Sequence, residues 1–135
     1  MDPDQQAPSP LHDGLVMPAE WASHRACWMA WPSHPELWGS DLCAVRREFS
    51  ELCHAISGER IELLVLDEAG QREAATALGG LDIAFHRLAF GDIWTRDTTP
   101  LFVTGGGGRK ATVRFEFNGW GGKYLLAGDR ELGAR

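Results

Sequence analysis

Three short apolar runs along the chain have the pattern of β-strands. Residues 26–31, ACWMAW, form an apolar run that Pro32 ends, and this pattern suits a buried strand. Residues 61–66, IELLVL, are almost continuously aliphatic, which is typical of a strand buried on both faces. In residues 81–88, LDIAFHRL, large apolar side chains alternate with small or polar ones, so this run predicts a strand with one wetter face.

Two segments between these runs have the pattern of helices. Over residues 41–57 the apolar side chains recur three and four positions apart, which places them on one helix face. These side chains are Leu42, Val45, Phe49, Leu52 and Ile56. We expect Asp41 to cap the start of this helix and Gly58 to end it in a left-handed conformation. A shorter helix is predicted within residues 67–80, and the SHPELWGS segment before the first helix is predicted to be a connecting loop.

The second half of the chain predicts a β-hairpin and an open end. PLFVT (100–104) and ATVRFEFN (111–118) are predicted strands, and the glycine-rich GGGGRK joins them as a hairpin loop. The order β-α-β-α-β and then a hairpin predicts an α/β fold whose helices cover a mixed sheet. Residues 1–14 are expected to form a flexible N-terminal arm, followed by one unit over 15–135. Because the last stretch, GDRELGAR, begins another helix and leaves a sheet edge unpaired, we expect this unit to be the N-terminal part of a larger domain.

Composition and charge exclude several classes of function. The chain has 135 residues, of which 44% are hydrophobic and 24% are charged, as in an ordinary globular protein. Its net charge of -6 offers no basic surface for nucleic acid, and no apolar run approaches the length of a membrane span. The three cysteines include no C-x-x-C pair, and the first residues lack the features of a secretory signal. These features predict free thiols in a reducing compartment, and hence a cytoplasmic protein.

Two kinds of site are rejected on spacing. GGGGRK lacks the spacing of a phosphate-binding P-loop and precedes no predicted helix, so a hairpin tip is the better interpretation. The five histidines have no metal-finger spacing with the cysteines, and we therefore expect no metal site. Cys27, Cys43 and Cys53 fall in a predicted strand and helix, where small buried thiols are expected. None of the three neighbours a histidine in a way that indicates a nucleophile.

The stretch GDIWTRDTTP gathers candidate chemistry. Trp94 and Asp97 lie three residues apart, and together they can receive one planar guanidinium, by stacking on the indole and by paired N–H bonds to the carboxylate. The alternative is internal: Arg96 pairs with Asp92 or Asp97, and Trp94 fills the core. For the later stretch FNGWGGKY, 117–124, a strand-end turn is the corresponding alternative. Spacing alone favours the structural interpretation at both places.

Taken together, the motifs resemble one family, the agmatine deiminases, which are grouped with the Porphyromonas-type peptidyl-arginine deiminases. MPAEWASHRACWMAWP (17–32) is similar to the N-terminal signature of that family. DIWTRDTTP is similar to its Asp-x-Trp-x-Arg-Asp-Thr-Gly-Pro stretch, and FNGWGGKY to its Phe-Asn-x-Trp-Gly-Gly-Lys stretch. The resemblance covers about residues 15–130, in the same order of elements.

The resemblance implies a fold and an activity. The fold would be a partial pentein, the N-terminal portion of a ring of five ββαβ-type units. The activity would be hydrolysis of agmatine to N-carbamoylputrescine and ammonia, a step of putrescine and polyamine biosynthesis, without a metal or an organic cofactor. The partner would be this small guanidinium substrate, with no nucleic acid or membrane involved, and the full-length protein could be a homo-oligomer.

The resemblance also implies roles for single residues. By its place in the motif, Asp97 matches a guanidinium-binding carboxylate, and Trp94 matches a tryptophan that lines the site. Asp92, Arg96 and Asn118 match further motif positions, which we assign to support of the site loops.

This chain departs from the family pattern in composition and in extent. Thr99 stands where glycine is usual and is expected to perturb the loop that directs Asp97, and Cys27 stands where threonine is common. The nucleophilic cysteine and the catalytic histidine of the family are expected in segments beyond this chain. We therefore expect no hydrolase activity from the chain alone. A non-catalytic guanidinium-binding module and a fragment of a peptidyl-arginine deiminase remain alternative functions.

Overall fold

Five strands and six helices follow one another along residues 14–135, the part of the chain that this computed structural model describes. The strands are β1 Cys27–Ala30, β2 Ile61–Val65, β3 Ile83–Arg87, β4 Leu101–Thr104 and β5 Lys110–Val113. The helices are α1 Pro35–Trp38, α2 Leu42–Ala55, α3 Glu68–Ala77, α4 Thr95–Thr98, α5 Gly119–Gly122 and α6 Asp129–Leu132. Except for Gly14, the predicted arm of residues 1–14 lies outside the described residues. None of the helices within 14–135 is long and apolar enough to cross a bilayer.

The first three strands form a parallel sheet in the order β1-β2-β3. Helix α2 connects β1 to β2, and α3 connects β2 to β3, so the predicted β-α-β-α-β order is confirmed. The central strand β2 is almost wholly buried, as its continuous aliphatic run predicts. Strand β3 is only half buried, because it lies at the edge of this sheet.

The two faces of the parallel sheet carry different layers. The face that bears Ile61 and Leu63 packs against α2 and α3 in one apolar cluster. The opposite face bears Ala30 and Leu64, which pack against Phe90 and against the last turn of the described chain. Successive side chains of a strand point to opposite faces. Neighbouring residues of β1 therefore pack into different clusters, one on each face of the sheet.

The predicted mixed sheet is wrong, because β4 and β5 form a separate antiparallel pair. The outer edge of β4 is occupied in part by Val16, whose backbone exchanges two hydrogen bonds of 2.8 and 2.9 Å with Thr104. Strand β5 also stops at Val113 rather than at residue 118. Val113 pairs with Leu101, and the preceding Pro100 has no N–H with which to continue the ladder.

The start of the long helix also differs from the prediction. Asp41 does not cap α2, since it ends a short 3₁₀ turn, Gly39–Asp41, and already has helical backbone angles. The preceding segment is not a plain loop, because Pro35 opens the one-turn helix α1 at the position where its missing N–H does no harm. Beyond the other end of α2, Gly58 has a φ of 107°, which confirms the predicted left-handed residue.

Candidate functional site

The WTRD segment forms a single helical turn that rests on the face of the parallel sheet opposite α2 and α3. The Thr95 hydroxyl donates to the backbone carbonyl of Trp28 over 3.1 Å, which ties the start of α4 to β1. Thr98 is buried, and its hydroxyl donates to the carbonyl of Trp94 over 3.1 Å. Thr99 has extended backbone angles that any residue adopts, so the expected perturbation by threonine at this position is not seen. Hydrogen bonds from Thr95 and Thr98 therefore hold the turn on its buried side, and its other side is exposed to solvent.

Trp94 is placed by the carboxylate of Asp92. The indole Nε1 donates to Asp92 Oδ2 over 2.9 Å, while Asp92 Oδ1 accepts from the Ile93 N–H over 2.7 Å. Trp94 retains 51% exposure, so it does not fill the core as the internal alternative requires. The indole is thus held in place through its N–H, and its exposed face is available to a planar cation.

Arg96 and Asp97 do not pair with each other. The Arg96 guanidinium instead meets Glu20 Oε2 at 2.7 Å, across two exposed side chains. Asp97 is exposed, and within residues 14–135 its carboxylate has no hydrogen-bond or ion-pair partner. Its backbone N–H donates to the Trp94 carbonyl over 3.0 Å, which places the two residues on one helical turn. The internal pairing of Arg96 with Asp92 or Asp97 is therefore wrong, and the Asp97 carboxylate is left for another cation.

Asp129 supports this loop from a distant part of the chain, and the sequence pattern gave no sign of it. It is 2% exposed, and its Oδ1 accepts the N–H groups of Gly91 over 2.7 Å and Asp92 over 3.3 Å. Burial raises the pKa of Asp129, although the two backbone donors oppose that shift. Gly91 must lack a side chain here, because a Cβ would lie 2.6 Å from the second carboxylate oxygen. Asp129 thus fixes the backbone that carries Asp92, which in turn orients Trp94.

Asn118 supports a different turn from the one that carries Trp94. Its side-chain oxygen accepts the Gly121 N–H over 2.9 Å, so its bond closes the 117–124 turn on itself. The turn is tight: Trp120 has a φ of 53°, and a Cβ on Gly119 would lie 2.2 Å from the Tyr124 carbonyl oxygen. The strand-end turn foreseen as an alternative is therefore present. In the described part of the chain no hydrogen bond joins Asn118 to the Trp94 loop.

An open cavity of about 340 Å³ lies between the 117–124 turn and α6. Phe117, Tyr124 and Asp129 are among the residues that line it, whereas Trp94 and Asp97 are not. The candidate cation site is consequently an exposed surface of one turn rather than an enclosed pocket within residues 14–135.

The cysteines lie on the side of the parallel sheet that packs against α2 and α3. Cys53 is fully buried in α2, and burial raises the pKa of its thiol to about 11. Burial, and next the charge of Glu59, also raise the pKa of the Cys27 thiol. Cys43 is exposed on α2. Since α4 rests on the opposite face, none of these thiols is placed to attack a cation bound at Trp94.

One set of potential metal ligands occurs in the described chain. His24, Cys27 and Glu59 bring one donor atom each within 4.8 Å of one another. The sequence did not predict this set, because Glu59 comes from a segment distant from His24 and Cys27.

Comparison with known proteins gives a consistent family. The sequence model of the Porphyromonas-type peptidyl-arginine deiminases matches residues 16–135. The chain is 35% identical over 117 residues to the agmatine deiminase of Stutzerimonas stutzeri, a match that covers 85% of this chain and 31% of the relative. It is 34% identical over 114 residues to the agmatine deiminase of Ectopseudomonas mendocina, covering 84% of this chain and 31% of that one.

The solved structures agree in fold. The chain superposes on the agmatine deiminase of Enterococcus faecalis with a TM-score of 0.82 and 27% identity, over 93% of this chain and 35% of that one. The chain therefore spans about a third of the length of the relatives that it matches.

Proposed function

The chain belongs to the Porphyromonas-type peptidyl-arginine deiminase family, and we propose that it supplies the guanidinium-binding turn of an agmatine deiminase-like hydrolase. The proposed reaction converts agmatine and water to N-carbamoylputrescine and ammonia. In this proposal a cysteine thiolate attacks the guanidinium carbon, ammonia leaves, and water releases the product with a histidine as acid and base. The setting we propose is a cytoplasmic enzyme of putrescine formation, built as a pentein and able to form homo-oligomers.

The observation that carries this proposal is that the Trp94 indole face is exposed and the Asp97 carboxylate is unpaired within residues 14–135. The indole is fixed through its N–H but half exposed, and the carboxylate three residues later has no partner within residues 14–135. A planar cation that stacks on the first can direct two N–H groups to the second. Asp92 and Arg96 act as supports, the former through the indole and the latter through Glu20.

The same geometry sets the affinity that we expect from the chain alone. A partly desolvated stack on an indole contributes about 1–2 kcal/mol, and an exposed ion pair adds about 0.2–1 kcal/mol. Together these terms give about 1.2–3 kcal/mol, which corresponds to a dissociation constant between about 6 and 130 mM, weaker than the 1 mM that 4.1 kcal/mol provides. We propose accordingly that the chain binds agmatine weakly and does not hydrolyse it, because no thiol of the described chain faces the Trp94 turn.

Ligand-observed NMR on the purified chain tests the binding. Agmatine should show saturation transfer and a dissociation constant of roughly tens of millimolar, whereas putrescine, which lacks the guanidinium, should bind more weakly. Asp97→Asn and Trp94→Leu should each weaken agmatine binding by at least about threefold, which corresponds to less than 1 kcal/mol. Matched controls are Asp41→Asn, another exposed aspartate, and Trp21→Leu, an 89% exposed tryptophan.

Two outcomes would contradict the proposal. Equal binding of agmatine and putrescine would show that the guanidinium is not recognised. Release of ureido product from agmatine that Asp97→Ala abolishes would show that the chain contains its own nucleophile. An arginine-containing peptide amide, titrated in parallel, separates the agmatine-directed function from a peptidyl-arginine-directed one.

A further inference from the structure

Three donor side chains converge at the amino-terminal end of the parallel sheet. The Cys27 Sγ lies 3.5 Å from His24 Nε2, and the same nitrogen lies 3.0 Å from Glu59 Oε2. All three donor atoms lie within 4.8 Å of one another. Cys27 is half buried, whereas the side chains of His24 and Glu59 are 46% and 44% exposed, so the group is open to solvent on one side.

The backbone holds two of the three residues in place. Cys27 begins β1, and its N–H donates to the Arg60 carbonyl over 2.8 Å. Glu59 immediately precedes Arg60, and its own N–H donates to the Ile56 carbonyl over 3.1 Å. Because Cys27 and Ile61 are register partners in the sheet, the parallel pairing itself brings the thiol beside Glu59.

The Nε2 atom of His24 faces the other two groups. Its Nδ1 lies 3.2 Å from the Ala22 carbonyl oxygen, which can only accept, so a hydrogen bond at this position needs the Nδ1–H tautomer. In the neutral ring Nε2 is then an acceptor, directed at a carboxylate oxygen that is also an acceptor. A histidine that binds a metal through one ring nitrogen usually donates the N–H of its other ring nitrogen to a carbonyl or a carboxylate, and the Ala22 carbonyl is placed to accept it here.

The arrangement does not fit a cysteine–histidine–carboxylate catalytic triad. In such a triad the thiol and the carboxylate contact different ring nitrogens. Here Cys27 and Glu59 both approach Nε2, and a backbone carbonyl occupies the Nδ1 side.

Two of the three separations between donor atoms lie close to those around a tetrahedral ion. With zinc bonds of about 2.3 Å to sulfur and about 2.0–2.1 Å to nitrogen and oxygen, tetrahedral angles separate S from N by about 3.6 Å and N from O by about 3.3 Å. The observed separations of 3.5 and 3.0 Å need only small adjustments. The separation between the Cys27 sulfur and the Glu59 oxygen lies within 4.8 Å and has to become about 3.6 Å, which the partly exposed Glu59 side chain can provide by rotation. Sulfur, imidazole and carboxylate together are a donor set that zinc accepts.

We propose that His24, Cys27 and Glu59 form a three-ligand zinc site whose fourth position is open to water. The site is distinct from the Trp94 turn. Cys27 and Trp28 are consecutive in β1, so their side chains point to opposite faces, and α4 is tied to the backbone of Trp28. The expectation of no metal site was based on finger-like spacing, which this arrangement does not need.

Cobalt substitution of the purified full chain tests the site. Co²⁺ should bind with one-to-one stoichiometry and give a thiolate-to-cobalt charge-transfer band in the near ultraviolet, and Zn²⁺ should displace it. Cys27→Ser should abolish the band. His24→Ala and Glu59→Gln should each weaken zinc binding by at least the roughly 10- to 100-fold that loss of a mere outer-shell partner causes. Cys43→Ser, which removes an exposed thiol of α2, is the matched control and should change nothing.

A second measurement uses the wild-type chain and does not depend on the folding of any variant. Zinc at ten times its dissociation constant should slow alkylation of Cys27 by iodoacetamide about tenfold, with Cys43 unaffected as judged by peptide mass mapping. Absence of the charge-transfer band, its survival in Cys27→Ser, its loss in Cys43→Ser, or equal alkylation of Cys27 with and without zinc would each overturn the proposal. Because the test uses no guanidinium ligand, its outcome is independent of the function proposed for the Trp94 turn.

Discussion

Replacement of Asp129 should show that the Trp94 loop is held in place from α6. In Asp129→Ala, the Gly91 N–H loses its 2.7 Å acceptor inside the protein, and the Asp92 N–H loses a weaker one at 3.3 Å. A hydrogen bond to a charged group contributes about 1.5–3 kcal/mol, and a buried donor left without a partner costs about 1–3 kcal/mol. Removal of the carboxylate also relieves the unfavourable burial that raises its pKa. We therefore expect a net loss of about 2 kcal/mol in the free energy of unfolding.

The amide variant separates the hydrogen bonds from the charge. Asp129→Asn keeps an oxygen that can accept from Gly91, so it should be far less destabilised than the alanine variant. The sign of the pH effect follows from the pKa. Because the folded-state pKa of Asp129 is raised, the folded chain holds this proton more tightly than the unfolded chain. The wild type therefore loses stability as the pH rises from about 3.9, the unfolded value, through the raised folded value, and asparagine lacks this loss.

Urea denaturation followed by tryptophan fluorescence gives the required free energies. The alanine variant should also weaken agmatine binding, since Asp92 would no longer be fixed beneath Trp94. The asparagine variant should gain stability relative to the wild type between pH 4 and pH 7. The explanation fails if Asp129→Ala changes the free energy of unfolding by less than about 0.5 kcal/mol, which is the range of ordinary surface substitutions, or if the asparagine difference does not change with pH.

Three further predictions concern stability elsewhere in the fold. Hydrogen bonds from Arg60, and next from His86, lower the pKa of Glu62, so this residue stabilises the fold above its unfolded pKa and the effect is lost as the pH falls through the lowered one. Glu62→Gln should thus cost about 1 kcal/mol at pH 7 and converge with the wild type in acid; an equal difference at both pH values in urea melts would contradict this. Gly119→Ala should cost at least about 2 kcal/mol in the same melts, because the residue has a φ of 67° and the new methyl would lie 2.2 Å from a carbonyl oxygen; an unchanged melt would show that the turn is loose. Asp67→Ala should cost about 1 kcal/mol by loss of the α3 cap, measured by circular dichroism, whereas Asp67→Ser should retain most of the stability.

The parts of the fold that sequence predicts are those determined by local patterns. Continuous apolar runs predict β1 and β2, and the spacing of three and four predicts α2, because each pattern must bury one face of a regular element. The early end of β5 at Val113 has a partly local cause as well, namely Pro100, but its effect depends on which strand lies opposite. The order of strands along the chain does not determine which strands pair. The mixed-sheet prediction was therefore wrong for β4 and β5, which pair only with each other among the named strands of residues 14–135.

The candidate site divides in the same way. The spacing of Trp94 and Asp97 is local and predicts a cation-binding turn. Asp129 is not predicted, because it meets Gly91 only after the chain has passed through the β-hairpin and the 117–124 turn. The same holds for Glu59, which the parallel pairing of β1 and β2 brings beside Cys27. Contacts between distant segments leave no periodic signal in a single sequence.

The distribution of hydrogen bonds around the Trp94 turn supports the cation-binding role proposed for it. Arg96, the nearest cation in sequence, would be the simplest internal partner for Asp97. Instead Arg96 is held by Glu20, and the Asp92 carboxylate accepts from the Trp94 indole and from the Ile93 N–H. Of the two acidic residues of this loop, Asp97 is the one whose carboxylate has no partner in residues 14–135. Every support thus orients the loop, while the two groups proposed to face the cation stay open. Since an unpaired exposed carboxylate contributes nothing to stability, Asp97→Asn should leave the free energy of unfolding within about 0.5 kcal/mol of the wild type and change only the binding of the cation.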